Sequence, residues 1–254
     1  MNYKEYGKQN SNVIILLHGG GLSWWNYSKE AEMLQNDYHV IIPILDGHAE
    51  SDRKFTTIED NAREIISFID EKFSGCVLLI GGLSLGGQIL LEILSQRGDI
   101  CKYAIVESAL VIRSKLTCAM IKPAFGSCYG LIRQKWFSKL QFKSLRINRE
   151  FFDDYYTDTC KITKQNMIAF LQANSMFSIK ESIRSCTAKV HIFVGERENS
   201  AMKASAKIIN KKIAGSSLKV IDKMYHGEFS INHADDYVKE IYAMVKTTHI
   251  EMLH

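Results

Sequence analysis

The sequence lacks the features that mark several common classes of protein. It has six cysteines but no C-x-x-C pair, so neither a zinc site nor a disulfide framework is predicted. It has only two prolines and no repeat or low-complexity linker. Its apolar runs are short, and Val13–Leu17 cannot serve as a signal peptide or a membrane span. We therefore expect a cytoplasmic protein with no membrane partner.

The composition and charge are ordinary. Charged residues make up 24% and hydrophobic residues 46% of the 254 residues, which argues against disorder and allows one substantial core. The net charge of +4 is spread along the chain, and its densest basic stretch, residues 133–149, has apolar residues at intervals. We interpret that stretch as a solvated helix face and expect no nucleic-acid partner.

Short β-rich apolar runs alternate with amphipathic stretches of helical length. This alternation predicts an α/β protein with a mostly parallel central sheet and helices on both faces. The predicted strands are continuous runs of valine, isoleucine and leucine, as in strands buried on both faces: 13–17, 39–44, 76–80, 103–106, 190–194 and 218–221. Helices are predicted over 57–73, with Thr57 as the cap, and over 84–96, 201–213 and 234–245.

Residues 113–175 break this alternation. They hold no clear buried strand, but they contain helical patches and many aromatic residues. A segment this long between two strands is uncommon unless it has a structure of its own. We interpret it as a helical cap inserted into a core domain made of residues 1–112 and 176–254. The alternative is an ordinary pair of helices that cover the sheet.

The sequence G-x-S-x-G centred on Ser84 is the first candidate for chemistry. It follows a predicted strand directly and precedes a predicted helix. A serine hydroxyl is a poor nucleophile, so the backbone must hold it at a sharp turn where a base can reach its proton. Glycines at positions 82 and 86 leave room for that turn, because side chains there would collide with the neighbouring strand and helix. Ser84 is therefore the predicted nucleophile.

A second motif, His18-Gly19-Gly20-Gly21, follows the strand predicted at 13–17. During acyl transfer the carbonyl oxygen becomes an anion, which backbone N–H groups in a water-poor pocket can stabilise. The alternatives are a plain glycine-rich turn or a phosphate-binding loop. A phosphate loop would need a following lysine and Ser or Thr, whereas Leu22 follows here.

With these two motifs the sequence resembles the α/β-hydrolase superfamily over nearly the whole chain outside residues 113–175. The resemblance implies a three-layer α/β-hydrolase fold and a catalytic triad in the order serine, acid, histidine. It also implies that the oxyanion hole is formed by the amide of Leu85 and that of Gly20 or Gly21.

The resemblance places the base in the loop after the last strand, which points to His226. The rival is His48, in a segment that resembles a usually structural loop of the family. The acid is expected after the penultimate strand, where Glu198 stands in the usual aspartate position of G-x-x-D. Glu107, at the end of the strand predicted at 103–106, is the alternative because some relatives supply the acid from there.

These residues together predict a serine hydrolase that cleaves a small or medium, partly apolar carboxylic ester through an acyl-serine intermediate. We expect Leu22, Trp24 and Trp136 to contact this small-molecule substrate. No metal or organic cofactor is expected. An aminopeptidase, thioesterase, carbon–carbon hydrolase or lyase could use the same residues, and so could a non-catalytic ligand-binding protein on the same scaffold.

Overall fold

A seven-stranded sheet forms the centre of the protein. The computed structural model describes residues 1–251, without the side chains of residues 127, 128 and 247–251. The strands are β1 (Tyr3–Tyr6), β2 (Val13–Leu17), β3 (His39–Pro43), β4 (Val77–Leu83), β5 (Cys101–Glu107), β6 (Lys189–Gly195) and β7 (Ser217–Ile221). Their order is β1-β3-β2-β4-β5-β6-β7, and every neighbouring pair is parallel except β1 with β3.

All six predicted strands are present, but β1 was not predicted. Its sequence, Tyr-Lys-Glu-Tyr, has no apolar run, and its residues alternate between exposed and half-buried positions. It pairs antiparallel with β3, at the edge of the sheet. An edge strand of this kind carries little hydrophobic signal, because only one of its faces meets the core.

Helices follow most of the strands. They are α1 (Ser28–Leu34), α2 (Ile58–Phe73), α3 (Leu85–Gln96), α4 (Lys115–Cys128), α5 (Lys135–Leu145), α6 (Phe152–Lys161), α7 (Lys164–Met176), α8 (Ser200–Lys212), α9 (Glu228–Asn232) and α10 (Ala234–Glu251). Thr57 caps α2 as predicted, since its Oγ1 accepts a hydrogen bond from the Asp60 amide at 2.9 Å. Among the described residues no helix is both long and apolar enough to cross a bilayer.

The two faces of the sheet bury separate hydrophobic clusters, which makes three layers. Ile15 and Leu17 of β2 point to the cluster that includes residues of α2, α3 and α8. Ile14 and Leu16 of the same strand point to the cluster that includes residues of α1 and α10. This alternation is the period-two geometry of a strand buried on both faces.

The segment between β5 and β6 contains α4, α5, α6 and α7, so the predicted helical character of residues 113–175 is present. Within it α4 packs against α7. Pro123 lies inside α4. The segment adds no strand to the sheet among the described residues, and its inner side faces the carboxyl ends of the parallel strands, where the candidate site lies.

Candidate active site

Ser84 lies at a sharp turn between β4 and α3. Its backbone has φ +53° and ψ −111°, a conformation that a non-glycine residue adopts only under local strain of about 1–3 kcal/mol. The Ser84 amide donates to the Glu107 carbonyl oxygen at 2.9 Å, which fixes the turn to the end of β5. The hydroxyl is thereby held out from the edge of the sheet.

The glycines of the motif are sterically required. A Cβ on Gly86 would collide with the carbonyl oxygen of Leu17 in β2. A Cβ on Gly82 would collide with the backbone of Gly86 itself. The turn can therefore form only where strand and helix backbones approach without side chains between them, as the sequence predicted.

The imidazole of His226 lies between the serine and a carboxylate. Its Nε2 is 3.1 Å from Ser84 Oγ, and its Nδ1 is 2.8 Å from Glu198 Oε2. With Nδ1 donating to the carboxylate, Nε2 presents its lone pair to the serine hydroxyl. An imidazole in this position can take the hydroxyl proton.

Glu198 is held by three hydrogen bonds and its side chain is 1% exposed. Besides His226, the donors are the Ser108 hydroxyl at 2.7 Å and the Gly195 amide at 2.8 Å, both to Oε1. Burial alone would raise the pKa of Glu198, but the three donors outweigh burial and keep the pKa below its ordinary value. The group is therefore a carboxylate at neutral pH.

Glu107, the alternative acid, lies apart from the imidazole. It is buried, and its Oε1 accepts from the Ser230 amide at 3.3 Å, while Oε2 has no hydrogen-bond partner among the described residues. Burial raises the pKa of Glu107 to about 7, against the effect of the Ser230 hydrogen bonds. The structure thus brings Glu198, and not Glu107, into contact with His226.

The glycine loop after β2 approaches the first turn of α3. A Cβ built on Gly20 would lie 3.5 Å from Cβ of Leu85, so the two residues are neighbours. No acceptor for the amides of Gly20 and Leu85 is found among the described residues. The Gly21 amide, in contrast, donates to His48 Nε2 at 3.0 Å. Gly20 and Gly21 were both predicted as possible donors to the oxyanion. Of these two amides, only that of Gly20 has no acceptor among the described residues, so the Gly21 amide is not available for the predicted role.

His48, the predicted rival base, supports the glycine loop from behind. Its Nδ1 donates to the Asp46 carbonyl oxygen at 3.1 Å, which leaves Nε2 as the acceptor for Gly21. Burial lowers the pKa of His48 to about 4, so the ring is neutral at neutral pH. Phe170 of α7 stacks on it, with ring centres 4.6 Å apart. No local motif in the sequence indicated this supporting contact.

A cavity of about 250 Å³ lies over Ser84 and His226. The core contributes the glycine loop with Leu22, Leu83, Gly227 and Ile231, and the helical segment contributes Phe125, Ile132, Gln141, Leu145, Ile147, Tyr155, Thr159, Met167, Phe170 and Leu171. None of these lining residues is Asp, Glu, Lys or Arg. The cavity therefore suits an uncharged, largely apolar group.

Two of the three predicted substrate contacts are not in this lining. Leu22 is part of it, but Trp24 is packed beside the second core cluster, with Lys4 over its ring at 5.1 Å. Trp136 is 60% exposed and lies on the outer side of α5, with Gln141 and Leu145 on the inner side. Aromatic composition alone could not tell which side of the helix faces the cavity.

One contact joins the helical segment to the loop that carries His226. The guanidinium of Arg146, at the end of α5, lies 3.7 Å from the ring centre of Tyr225. Asn232 of α9 also donates to the Arg146 carbonyl oxygen at 2.7 Å. The C-terminal end of α5 is thus attached beside the imidazole by stacking and by a hydrogen bond.

Among the side chains that the structure describes, no group of three or more His, Cys, Asp or Glu residues is placed to hold a metal ion. The five cysteines described, Cys76, Cys101, Cys118, Cys160 and Cys186, are free thiols. Cys128 lies outside the described side chains.

Comparison with known proteins gives one family match and many structural ones. A model of the family described as serine aminopeptidase, S33, matches residues 8–230. An esterase from Thermogutta terrifontis is 15% identical, with a TM-score of 0.79 over 98% of this chain and 93% of that one. For an enol-lactonase from Burkholderia xenovorans LB400 the identity is 14% and the TM-score 0.78, over 96% of each chain. For a bromoperoxidase from Bacillus anthracis the identity is 15% and the TM-score 0.81, over 96% of this chain and 94% of that one.

These likenesses confirm the α/β-hydrolase fold that the sequence predicted. At such low identity these similarities establish only the fold, and the three proteins named differ in activity. The reaction must be argued from the site itself.

Proposed function

Because the chain belongs to the serine aminopeptidase S33 family and is thus an α/β-hydrolase, we propose that it cleaves a small or medium, uncharged carboxylic ester through an acyl-serine intermediate. The observation that carries this proposal is the hydrogen-bonded chain Ser84–His226–Glu198, at 3.1 and 2.8 Å, which opens into a cavity lined by no Asp, Glu, Lys or Arg.

In the first half-reaction His226 takes the proton of Ser84 as Oγ attacks the ester carbonyl carbon. The carbonyl oxygen becomes an alkoxide, which the amides of Gly20 and Leu85 stabilise by several kcal/mol. The C–O bond to the alcohol then breaks, and the imidazolium gives its proton to the departing alcohol. Glu198 holds the imidazole and stabilises its cation.

In the second half-reaction a water molecule gives its proton to His226 and attacks the acyl-Ser84 ester. The tetrahedral intermediate collapses, the bond from the acyl carbon to Ser84 Oγ breaks, and the proton returns to the serine. The products are a carboxylic acid and free enzyme.

Residues 113–175 serve in this proposal as the cap of the active site. Ten of the cavity-lining side chains come from this segment. They are predominantly apolar, so they exclude water from the acyl group and strengthen the hydrogen bonds beneath it.

Peptide-bond hydrolysis is the second candidate, since the family description favours an aminopeptidase. An aminopeptidase has to bind the α-ammonium group of its substrate, and a desolvated ammonium requires an anionic partner. The cavity lining contains no carboxylate, and Glu107 lies buried at 1% exposure outside it. The absence of a carboxylate from the cavity lining therefore favours an ester over an aminoacyl substrate.

The proposal is tested by the Ser84→Ala variant with a fluorophosphonate probe and p-nitrophenyl esters. We expect the probe to label Ser84 alone and Ser84→Ala to lose about 10⁴-fold or more in kcat. The matched control is Ser95→Ala, the same change near the other end of the helix that follows Ser84, where the hydroxyl donates to the Leu91 carbonyl oxygen. It should keep full activity.

Short and medium acyl chains should be preferred over long ones, since the cavity has a volume of only about 250 Å³. Retained ester hydrolysis in Ser84→Ala contradicts the proposal. Faster turnover of aminoacyl p-nitroanilides than of the esters selects the aminopeptidase instead.

A further inference from the structure

The outer surface of the helical segment has a charge unlike the rest of the protein. Residues 113–149 contain nine Lys or Arg and no Asp or Glu. The whole chain carries +4, so the remaining residues together carry −5. All nine cationic side chains are exposed.

The same surface also exposes hydrophobic side chains. Of the ten large hydrophobic residues that are exposed in the described part of the chain, six lie within residues 113–149: Leu116, Met120, Leu131, Trp136, Leu140 and Leu145. Leu145 also reaches the cavity on the inner side of α5. Single exposed apolar residues are common on soluble proteins, but six of the ten within residues 116–145 indicate a binding surface.

The two kinds of side chain are interleaved on α5. Lys135, Lys139 and Lys143 recur every fourth residue and form one row along the helix, and Trp136 and Leu140 form the row beside it. Within the described residues, Lys139 and Lys143 have no carboxylate within 4.0 Å. Together with Arg149 they line a depression between α5 and α6. Most of this cationic charge is therefore free to meet an outside anion.

Although the sequence led us to expect no membrane partner, we propose that this face, made by the outer sides of α4 and α5, docks on the surface of an anionic phospholipid bilayer. Lysine side chains can reach the lipid phosphates while their methylene stems and the adjacent Leu and Trp enter the interfacial region. Nucleic acid fits less well, because single strands are bound by aromatic side chains between the cations, and five of the six apolar residues are aliphatic.

Docking would also place the membrane beside the candidate active site. Phe125, Ile132 and Leu145 of the same segment line the cavity over Ser84. An apolar ester dissolved in the bilayer could then reach the cavity with little exposure to water. This last step rests on the proposed function, whereas the docking itself does not.

The test is co-sedimentation with vesicles of phosphatidylcholine alone or mixed with phosphatidylserine, carried out with Ser84→Ala protein so that hydrolysis plays no part. The variant Lys139→Glu/Lys143→Glu is compared with Lys207→Glu/Lys211→Glu. Lys207 and Lys211 are exposed lysines four residues apart on α8, so the change in net charge is the same. Circular dichroism checks that both variants are folded.

We expect binding to the anionic vesicles only, weakened by salt, and lowered more than about tenfold in the α5 variant but not in the α8 variant. Trp136→Phe should abolish the shift of tryptophan fluorescence on binding. Absence of vesicle binding, or equal loss in both double variants, overturns the proposal. Tighter binding to single-stranded RNA than to the vesicles overturns it as well.

Discussion

The turn after β6 and the end of β5 each bury a glutamate near Ser84, and the pKa values of the two carboxyl groups are shifted in opposite directions. Glu198 accepts three hydrogen bonds at 2.7–2.8 Å, and its pKa stays low in spite of burial. Glu107 accepts one amide hydrogen bond at 3.3 Å, and burial raises its pKa to about 7. Burial acts on both groups, and the additional donors lower the pKa of Glu198 below its ordinary value.

A similar comparison can be made between two histidines, His48 in the loop after β3 and His226. His48 is buried with one acceptor and one donor, the partners that a neutral imidazole requires. His226 is half-exposed and faces a carboxylate, so it can accept a proton during turnover. The partners of each titratable group therefore indicate whether it changes charge or keeps a fixed form.

Glu198→Gln is the strongest test of this comparison. It preserves the side-chain shape but removes the charge that stabilises the imidazolium, so kcat for a p-nitrophenyl ester should fall about 10³–10⁴-fold. The equivalent change at the other carboxyl, Glu107→Gln, is the control and should change kcat less than about threefold. The reverse ranking would show that Glu107 is the acid.

His48→Ala should have an intermediate effect. It leaves the Gly21 amide without an acceptor and removes the ring that stacks on Phe170. The glycine loop should then lose its fixed position. We expect kcat to fall about 10–100-fold with little change in KM, because the loop amides act most strongly in the transition state. His48→Gln, which can still accept from Gly21, should recover part of the loss. A change in KM alone would exclude this positioning role.

Glu107→Gln should act on stability rather than on activity. The carboxyl has a reference pKa of 4.5 and a pKa of about 7 in the folded protein. The folded state therefore binds the proton more tightly, and the free energy of unfolding should fall as pH rises from about 4.5 to about 7. The loss from this group is roughly 3 kcal/mol between about pH 5 and about pH 8.

Glu107→Gln should lack this part of the pH dependence. The measurement is urea unfolding of both proteins at the two pH values. Equal slopes against pH in the two proteins would mean that Glu107 is ionised, or solvated, in the folded state.

The core of the site could be predicted from the sequence because backbone geometry restricts the residue types there. The turn at Ser84 excludes side chains at positions 82 and 86, so it appears in the sequence as a spaced glycine motif. Buried parallel strands likewise require continuous apolar runs, which located the five interior strands, β2 to β6. The run at 218–221 also marks a strand, but β7 lies at the edge of the sheet and is largely exposed, so the prediction that it is buried on both faces is wrong.

The wall of the cavity could not be predicted in the same way. Packing against an apolar ligand can be achieved by many side chains, so Phe170 and Leu171 carried no recognisable pattern. Trp136, which was predicted to contact the substrate, lies on the outer side of α5. The role of Ser108, which donates to Glu198, could not be predicted from the sequence either. Its role follows from a contact between residues 90 positions apart, which no local motif records.

The stacking of Arg146 on Tyr225 couples two parts of the molecule that are distant in sequence. Since Tyr225 precedes His226 directly, α5 cannot move away from the cavity without breaking a contact next to the proposed general base. A guanidinium–ring contact of this kind contributes only about 1 kcal/mol, an amount that thermal motion overcomes readily. The position of α5 beside the cavity and the position of His226 are therefore coupled through this contact.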